Sequence, residues 1–283
     1  MQGNAFVRFL TFIRFSHTIF ALPFALGAMV VAAKGWPSAR IFGLILLAMA
    51  FARTAAMTFN RLADWEIDKR NPRTVGRHKL VSRKTAVVGL VTSAGLFLLT
   101  SWFINRLCFY FAPIALFVLC FYSITKRFTS LAQFFLGIAL GLSPIGAWMA
   151  VKATLELPPF VLALGVMLWV AGFDMIYACQ DVEVDKKEGL KSMVVWLGVD
   201  RSLVFAQVLH GIMFLLLVAF GVVAGLGKTY FASLSLVVAA LIYEHRVARK
   251  LDMAAINAAF FNSNAFVSLV FVLAVIADRC LPV

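Results

Sequence analysis

Asn60, Asp64 and Asp68 follow one another at steps of four, at the end of a long apolar run from Ile41 to Phe59. On one helix such steps drift by only about 40° and rise about 6 Å each, so the three side chains are expected on a single face. Oxygen ligands of this kind suit a hard divalent cation such as Mg²⁺, which takes one or two carboxylates and completes its shell with waters and substrate phosphates. A second set, Asp174, Tyr177, Asp181 and Asp185, closes another apolar run further along the chain. Carboxylates at helix ends near water are commonly solvated or paired with Lys and Arg. Here, however, five of the 13 acidic residues fall on just two helix faces. Acidic side chains at a membrane boundary cost free energy unless they are paired or functional. The two sets therefore point to one shared site, in which carboxylates from two helices hold metal ions that bridge to a diphosphate.

Such a site also needs cations from the protein. Tyr122-Ser123-Ile124-Thr125-Lys126-Arg127 closes a further apolar run, and Lys126 and Arg127 are suited to phosphate oxygens, Arg through its fork and Lys as a point charge. The same pair also reads as an ordinary basic anchor beside a membrane. Arg53 lies seven residues before Asn60, two turns deeper on the same face, where a permanent charge demands an anionic partner. That partner is either a motif carboxylate, a carboxylate-bearing substrate, or the diphosphate. Loss of the diphosphate creates a carbocation, which aromatic faces stabilise, and Tyr122 and Tyr177 lie beside the motifs. His17, His78, His210 and His245 are isolated in sequence and receive no role. No His or Cys cluster suits zinc or copper, and the four cysteines read as scattered free thiols. No phosphate-binding Gly-rich loop and no nucleophile elbow occurs.

The elements that must position these residues are apolar helices. Hydrophobic residues make up 63% of the 283, charged residues only 14%, and the mean hydropathy is +0.94. The chain is thus read as an all-α polytopic membrane protein, a single unit over residues 1–283 with no separate soluble domain. Long apolar runs argue against a barrel of short alternating strands. Residues 1–14 read as an interfacial lead-in without a cleavable signal pattern. Spans are expected at Phe15 to Ala33, Ile41 to Phe59, Thr85 to Ile104, Leu107 to Ile124, Thr129 to Val151, Pro159 to Ala178, Ser202 to Val223, Tyr230 to Tyr243 and Ile256 to Ala277. That makes nine, with Pro23 kinking the first. With the N-terminus inside, nineteen of the 26 Lys and Arg fall on the cytoplasmic side and six on the other, which places both acidic motifs at the cytoplasmic face and the C-terminus outside. The net charge of +13 then suits an anionic lipid surface or an anionic substrate, and nucleic acid is not expected as a partner. The two motifs hint at a weak internal repeat, but an odd number of spans argues against an inverted one.

Asn60-x3-Asp64-x3-Asp68 with Asn71-Pro72-Arg73-Thr74, and Asp174-x2-Tyr177-x2-Gln180-Asp181-x3-Asp185-x3-Gly189-Leu190-Lys191-Ser192, together resemble the UbiA superfamily of intramembrane aromatic prenyltransferases. Tyr122 to Arg127 is similar to that family's basic element after the fourth helix. The resemblance spans essentially the whole chain. It implies nine helices bundled around a central cavity with a cytoplasmic cap, in a bacterial-type inner membrane. It also implies Mg²⁺-dependent transfer of a polyprenyl group from a polyprenyl diphosphate to an aromatic ring, through an allylic cation. Carried onto this chain, the resemblance assigns Asn60, Asp64, Asp68, Asp181 and Asp185 to metal and diphosphate, and Lys126 and Arg127 to phosphate. Tyr177 and Asp174 would stand at the acceptor side or organise the second motif, and Arg53 is expected to meet an acceptor carboxylate. The segment Ser16-His17-Thr18-Ile19-Phe20-Ala21-Leu22-Pro23-Phe24 most resembles enzymes that prenylate 4-hydroxybenzoate or 1,4-dihydroxy-6-naphthoate in ubiquinone or menaquinone biosynthesis. Two alternatives fit the pattern less well. A CDP-alcohol phosphotransferase would show one continuous Asp-x-x-Asp-Gly run, and a membrane cation carrier would place its acids near the membrane midplane.

Overall fold

The structure, a computed structural model, describes residues 4–14, 20–70, 74–249 and 253–280. Every regular element among them is helical. A short helix α1 (Ala5–Phe12) begins behind an Asn4 side-chain cap, and α2 (Leu22–Ala33) follows. The long helices are α3 (Ala39–Ala63), α5 (Arg83–Ile104), α6 (Arg106–Thr125), α7 (Ala132–Lys152), α8 (Leu157–Ala178), α11 (Val199–Val223), α12 (Lys228–Ala248) and α13 (Met253–Cys280). Short pieces connect them at one end: α4 (Trp65–Arg70), a 3₁₀ turn over Arg77–Lys79, α9 (Val182–Lys187) and α10 (Met193–Leu197).

Eight of these helices are long and apolar enough to cross a membrane. The chain is a multi-pass integral membrane protein, with α2 as a shorter ninth apolar helix. Most spans agree with the sequence expectation within a few residues, because each starts at a side-chain cap or at a loop too polar to bury. Ser38, Ser82 and Asn105 accept from the backbone N–H three residues on, which fixes the starts of α3, α5 and α6. Pro23 does not kink a span. It stands in the first turn of α2, where its missing N–H has no helical partner to lose. Phe15 to Ile19, His17 among them, and Asn71 to Arg73 fall outside the described residues.

Helix α2 carries apolar residues all round, and nine of its twelve are buried, so it forms the centre of the bundle rather than a lipid-facing span. It packs on α7 and α13, α7 packs on α8, and α8 on α11, while α3 pairs with α5 and α12 with α13. The α7–α8 crossing rests on Gly137 and Gly141, four apart. A Cβ at Gly141 would stand 2.8 Å from the Ala163 carbonyl, and one at Gly137 would collide with that of Met167. Small residues at this spacing let two backbones close up without lipid-phase hydrophobic help. That packing fixes the ends of α7 and α8, and with them the acidic residues that close α8.

Candidate active site

The first acidic set does not sit on one unbroken helix, as its spacing suggests. Helix α3 ends at Ala63, Asp64 takes the C-cap with φ −92° and ψ 13°, and α4 starts at Trp65. The period of four survives because the backbone bonds carry across the break. Asp64 N–H donates to the Asn60 carbonyl at 3.0 Å, and Asp68 N–H to that of Asp64 at 2.7 Å. The second set is arranged alike: Asp174 and Tyr177 end α8, Asp181 caps α9, and Asp185 N–H donates to the Asp181 carbonyl at 2.8 Å. All seven residues line one cavity of about 260 Å³. Its remaining walls include Arg14, Arg61, Arg77, Lys126 and Gln133.

Each carboxylate of the first set has its own cations. Lys126 Nζ donates to Asp64 Oδ2 at 2.7 Å. Arg77 Nη1 reaches both oxygens of Asp68, at 3.0 and 3.3 Å, and Arg61 Nη1 reaches Oδ2 at 3.3 Å. Asp64 and Asp68 are only 5% and 8% exposed, so these pairs sit largely out of water. Burial pulls the Arg77 guanidinium down to about 10, helped by neighbouring Arg61 and opposed by Asp68. At neutral pH it is therefore still a cation.

Arg127 does not line the cavity. It is exposed, donates to the Ala63 carbonyl at the end of α3, and keeps Nη2 4.0 Å from Asp64 Oδ1. Arg53 is not bonded to a motif carboxylate either. Its Nη2 donates to the Arg14 carbonyl at 3.2 Å, while the Arg14 side chain reaches the Tyr177 hydroxyl at 3.4 Å. Arg53 instead lines a second cavity of about 370 Å³, walled almost wholly by apolar side chains of α3, α5, α6, α7 and α8. Tyr122 and Leu136 line both cavities, so the acidic chamber and the apolar one are neighbours that share these two side chains as a wall.

Motif spacing alone does not single out Arg14, Arg61 and Arg77. Arg61 carries a usable signal, since it precedes Asp68 by seven residues, the same two-turn spacing that draws attention to Arg53. Arg77 carries none, because only the turn after α4 folds it back onto Asp68. The histidines supply a further correction. His210 and His245, isolated in sequence, touch: Nδ1 of the first lies 2.9 Å from Nε2 of the second.

The donor set fits Mg²⁺. Asp64 Oδ1 is buried without a hydrogen-bond partner, an acceptor with a lone pair to spare for an ion, and Arg127 Nη2 stands 4.0 Å from it. Among the described residues no three acidic, His or Cys side chains converge on one point. The oxygens are instead divided between two walls, as suits an ion that keeps waters and substrate phosphates in most of its positions.

The model of the UbiA prenyltransferase family matches residues 21–270. The chain belongs to this family. A 4-hydroxybenzoate octaprenyltransferase of Marinobacter nauticus is 30% identical, over 84% of this chain and 82% of its own length. The enzyme of the same name from Aromatoleum aromaticum is also 30% identical, over 91% and 88%. Among solved structures, the apo UbiA homologue from Aeropyrum pernix K1 superposes with a TM-score of 0.84 at 27% identity, over 93% of this chain and 98% of that one. The Archaeoglobus fulgidus homologue bound to GPP and Mg²⁺ shares the fold, with a TM-score of 0.70 at 19% identity, over 97% of this chain and 100% of its own. The helical bundle is thus that of the UbiA prenyltransferase family.

Proposed function

We propose that this UbiA-family protein transfers a polyprenyl group from a polyprenyl diphosphate to the ring of a hydroxylated aromatic acid, 4-hydroxybenzoate or 1,4-dihydroxy-6-naphthoate. The observation that carries this reading is the adjacency of the two cavities. A chamber with two acidic walls and four cations, suited to a metal-bound diphosphate, lies against an apolar cavity suited to an isoprenyl tail, with Tyr122 and Leu136 lining both. The bacterial relatives named for 4-hydroxybenzoate prenylation, at about 30% identity over most of the chain, agree with it.

In this reading Asn60, Asp64, Asp68, Asp181 and Asp185 would hold Mg²⁺. When bound, the ion neutralises diphosphate charge and makes it a better leaving group. Lys126 swings from Asp64 to a phosphate oxygen, and Arg77 and Arg61 hold the Asp68 carboxylate in place. Arg127 assists from the rim. The C–O bond to the prenyl group breaks, and the aromatic faces of Tyr122 and Tyr177 shield the allylic cation. The acceptor ring, made electron-rich by its hydroxyl, attacks that cation and then loses a ring proton, with Asp174 and Tyr177 at the acceptor side. Arg53 meets the acceptor carboxylate from the apolar cavity that it lines. The excess of Lys and Arg in the loops at this end supports an orientation with the acidic cap at the cytoplasmic face of a bacterial inner membrane, the N-terminus inside and the C-terminus outside. The whole chain, residues 1–283, forms one prenyltransferase unit.

The test is a side-by-side assay of purified protein with a polyprenyl diphosphate, Mg²⁺ and each of the two acids. One acid is expected to accept the prenyl group, and excess chelator should abolish transfer. Transfer that continues in chelator, or to neither acid, overturns the reading.

A further inference from the structure

Gln133, in the first turn of α7, is only 3% exposed and lines the acidic chamber. One end of its amide is held by the cap. The Met193 N–H, which opens α10, donates to Gln133 Oε1 at 3.2 Å. A backbone N–H can only donate, so the atom facing it is the amide oxygen, and both hydrogens of Nε2 are left over. Nε2 has no hydrogen-bond partner among the described residues, and it is not sealed in: it keeps accessible surface on a residue that lines the chamber.

The chain on either side fixes where this donor stands. Lys126 follows Tyr122 by four residues as α6 runs toward the cap, and Gln133 precedes Leu136 by three as α7 runs away from it. Tyr122 and Leu136 form the wall shared by the two cavities, so Lys126 and Gln133 each stand about one helical turn on the cap side of it. The loop that leaves the second acidic motif holds this connection in place. Lys191 N–H donates to the Lys126 carbonyl at 2.6 Å, and Lys191 Nζ to that of Phe128 at 3.3 Å. The cations of the chamber are already engaged, Lys126 with Asp64, Arg61 and Arg77 with Asp68, and Arg14 with the Tyr177 hydroxyl. Gln133 Nε2 is a fixed donor at the same level with its hydrogens unspent.

We infer that Gln133 is a diphosphate-binding residue. Nε2 donates to a phosphate oxygen of the prenyl donor at the level of Lys126, while the Met193 N–H on Oε1 keeps the amide from turning its acceptor end toward the anion. A neutral amide suits the place because, unlike a further guanidinium, it is not drawn onto the motif carboxylates. The same bond links the diphosphate to the start of α10, and so to the loop that follows the second motif. The assignment rests on the prenyl-transfer reading for the identity of the anion.

Calorimetric titration of the purified full-length protein with inorganic pyrophosphate and Mg²⁺ tests it, beside KM values for the polyprenyl diphosphate and the aromatic acid. Gln133→Glu keeps an oxygen for the Met193 N–H and replaces the donor by an acceptor, whereas Gln133→Met removes both. Each variant should weaken pyrophosphate binding and raise the prenyl-donor KM, Gln133→Met about tenfold and Gln133→Glu by more, with the acceptor KM unchanged. Pyrophosphate affinity left intact in Gln133→Glu, with a loss confined to Gln133→Met, would make Gln133 a brace for α10 and overturn the proposal. A rise in the acceptor KM alone would move the amide to the aromatic acid and also overturn it. If Gln133→Glu does not fold, Gln133→Met decides through the split between the two KM values. Wild-type protein that binds no pyrophosphate overturns the transfer reading itself, and this proposal with it.

Discussion

The two acidic walls of the chamber are built from the same residue spacing and end in different states. Asp64 and Asp68 are buried and clamped by Lys126, Arg61 and Arg77. Asp174, Asp181 and Asp185 stand on the opposite wall and remain half exposed. The difference comes from the segment that leaves each helix. After α3 the chain turns through α4 and the 3₁₀ segment, which folds Arg77 back over the motif. After α8 it passes through α9 and a Gly189 turn at φ 66°, and the acids on that side are less deeply buried. One wall is therefore deeply buried in the cap, while the other is only partly covered. An ion pair between Arg70 and Glu188, at 2.6 Å, ties the two walls together at the surface.

The largest test of this contrast is a matched pair of substitutions. Asp68→Asn and Asp181→Asn should each lower turnover by at least ~100-fold. Only Asp68→Asn should also lower the melting temperature, because it strands two largely buried guanidinium groups, at a cost of about 3 kcal/mol. Equal melting temperatures for the two variants would erase the distinction between the walls. Lys126→Met is expected to slow turnover by about tenfold to a hundredfold with the acceptor KM unchanged, as read from initial rates. A rise in the acceptor KM alone would move Lys126 out of the diphosphate role. Arg53→Leu should raise the acceptor KM about tenfold and leave that of the prenyl donor alone. Equal effects on both would make Arg53 the holder of the Arg14 turn instead. Glu188→Gln removes an exposed pair and should change turnover less than about threefold. A larger loss would show that the clasp between the walls matters in every cycle.

Much of this architecture was legible because its causes are local. Apolar runs of span length, closed by polar caps, located the long helices, and the period of four brought Asn60, Asp64 and Asp68 together although the helix breaks at Asp64. Other features needed contacts that no local pattern encodes. Arg77 reaches Asp68 through a turn, and His210 meets His245 across 35 residues because Gly172 leaves space beside α8. Pro23 misled in another way: a proline in an apolar run suggests a kink, yet at the first helical turn it is simply compatible with a start.

By itself, the sequence determined that the chain is a helical membrane protein with two oxygen-rich motifs, since composition and side-chain period are properties of adjacent residues. Tertiary structure decided which cation holds which carboxylate, that Arg53 faces an apolar cavity, and that two distant imidazoles form a pair. The histidine pair depends on how closely α8 and α11 approach, and the α8 wall of the chamber on how closely α8 packs against α7. That approach is set at Gly137, Gly141 and Gly172, where the absence of a Cβ lets a neighbouring helix close in.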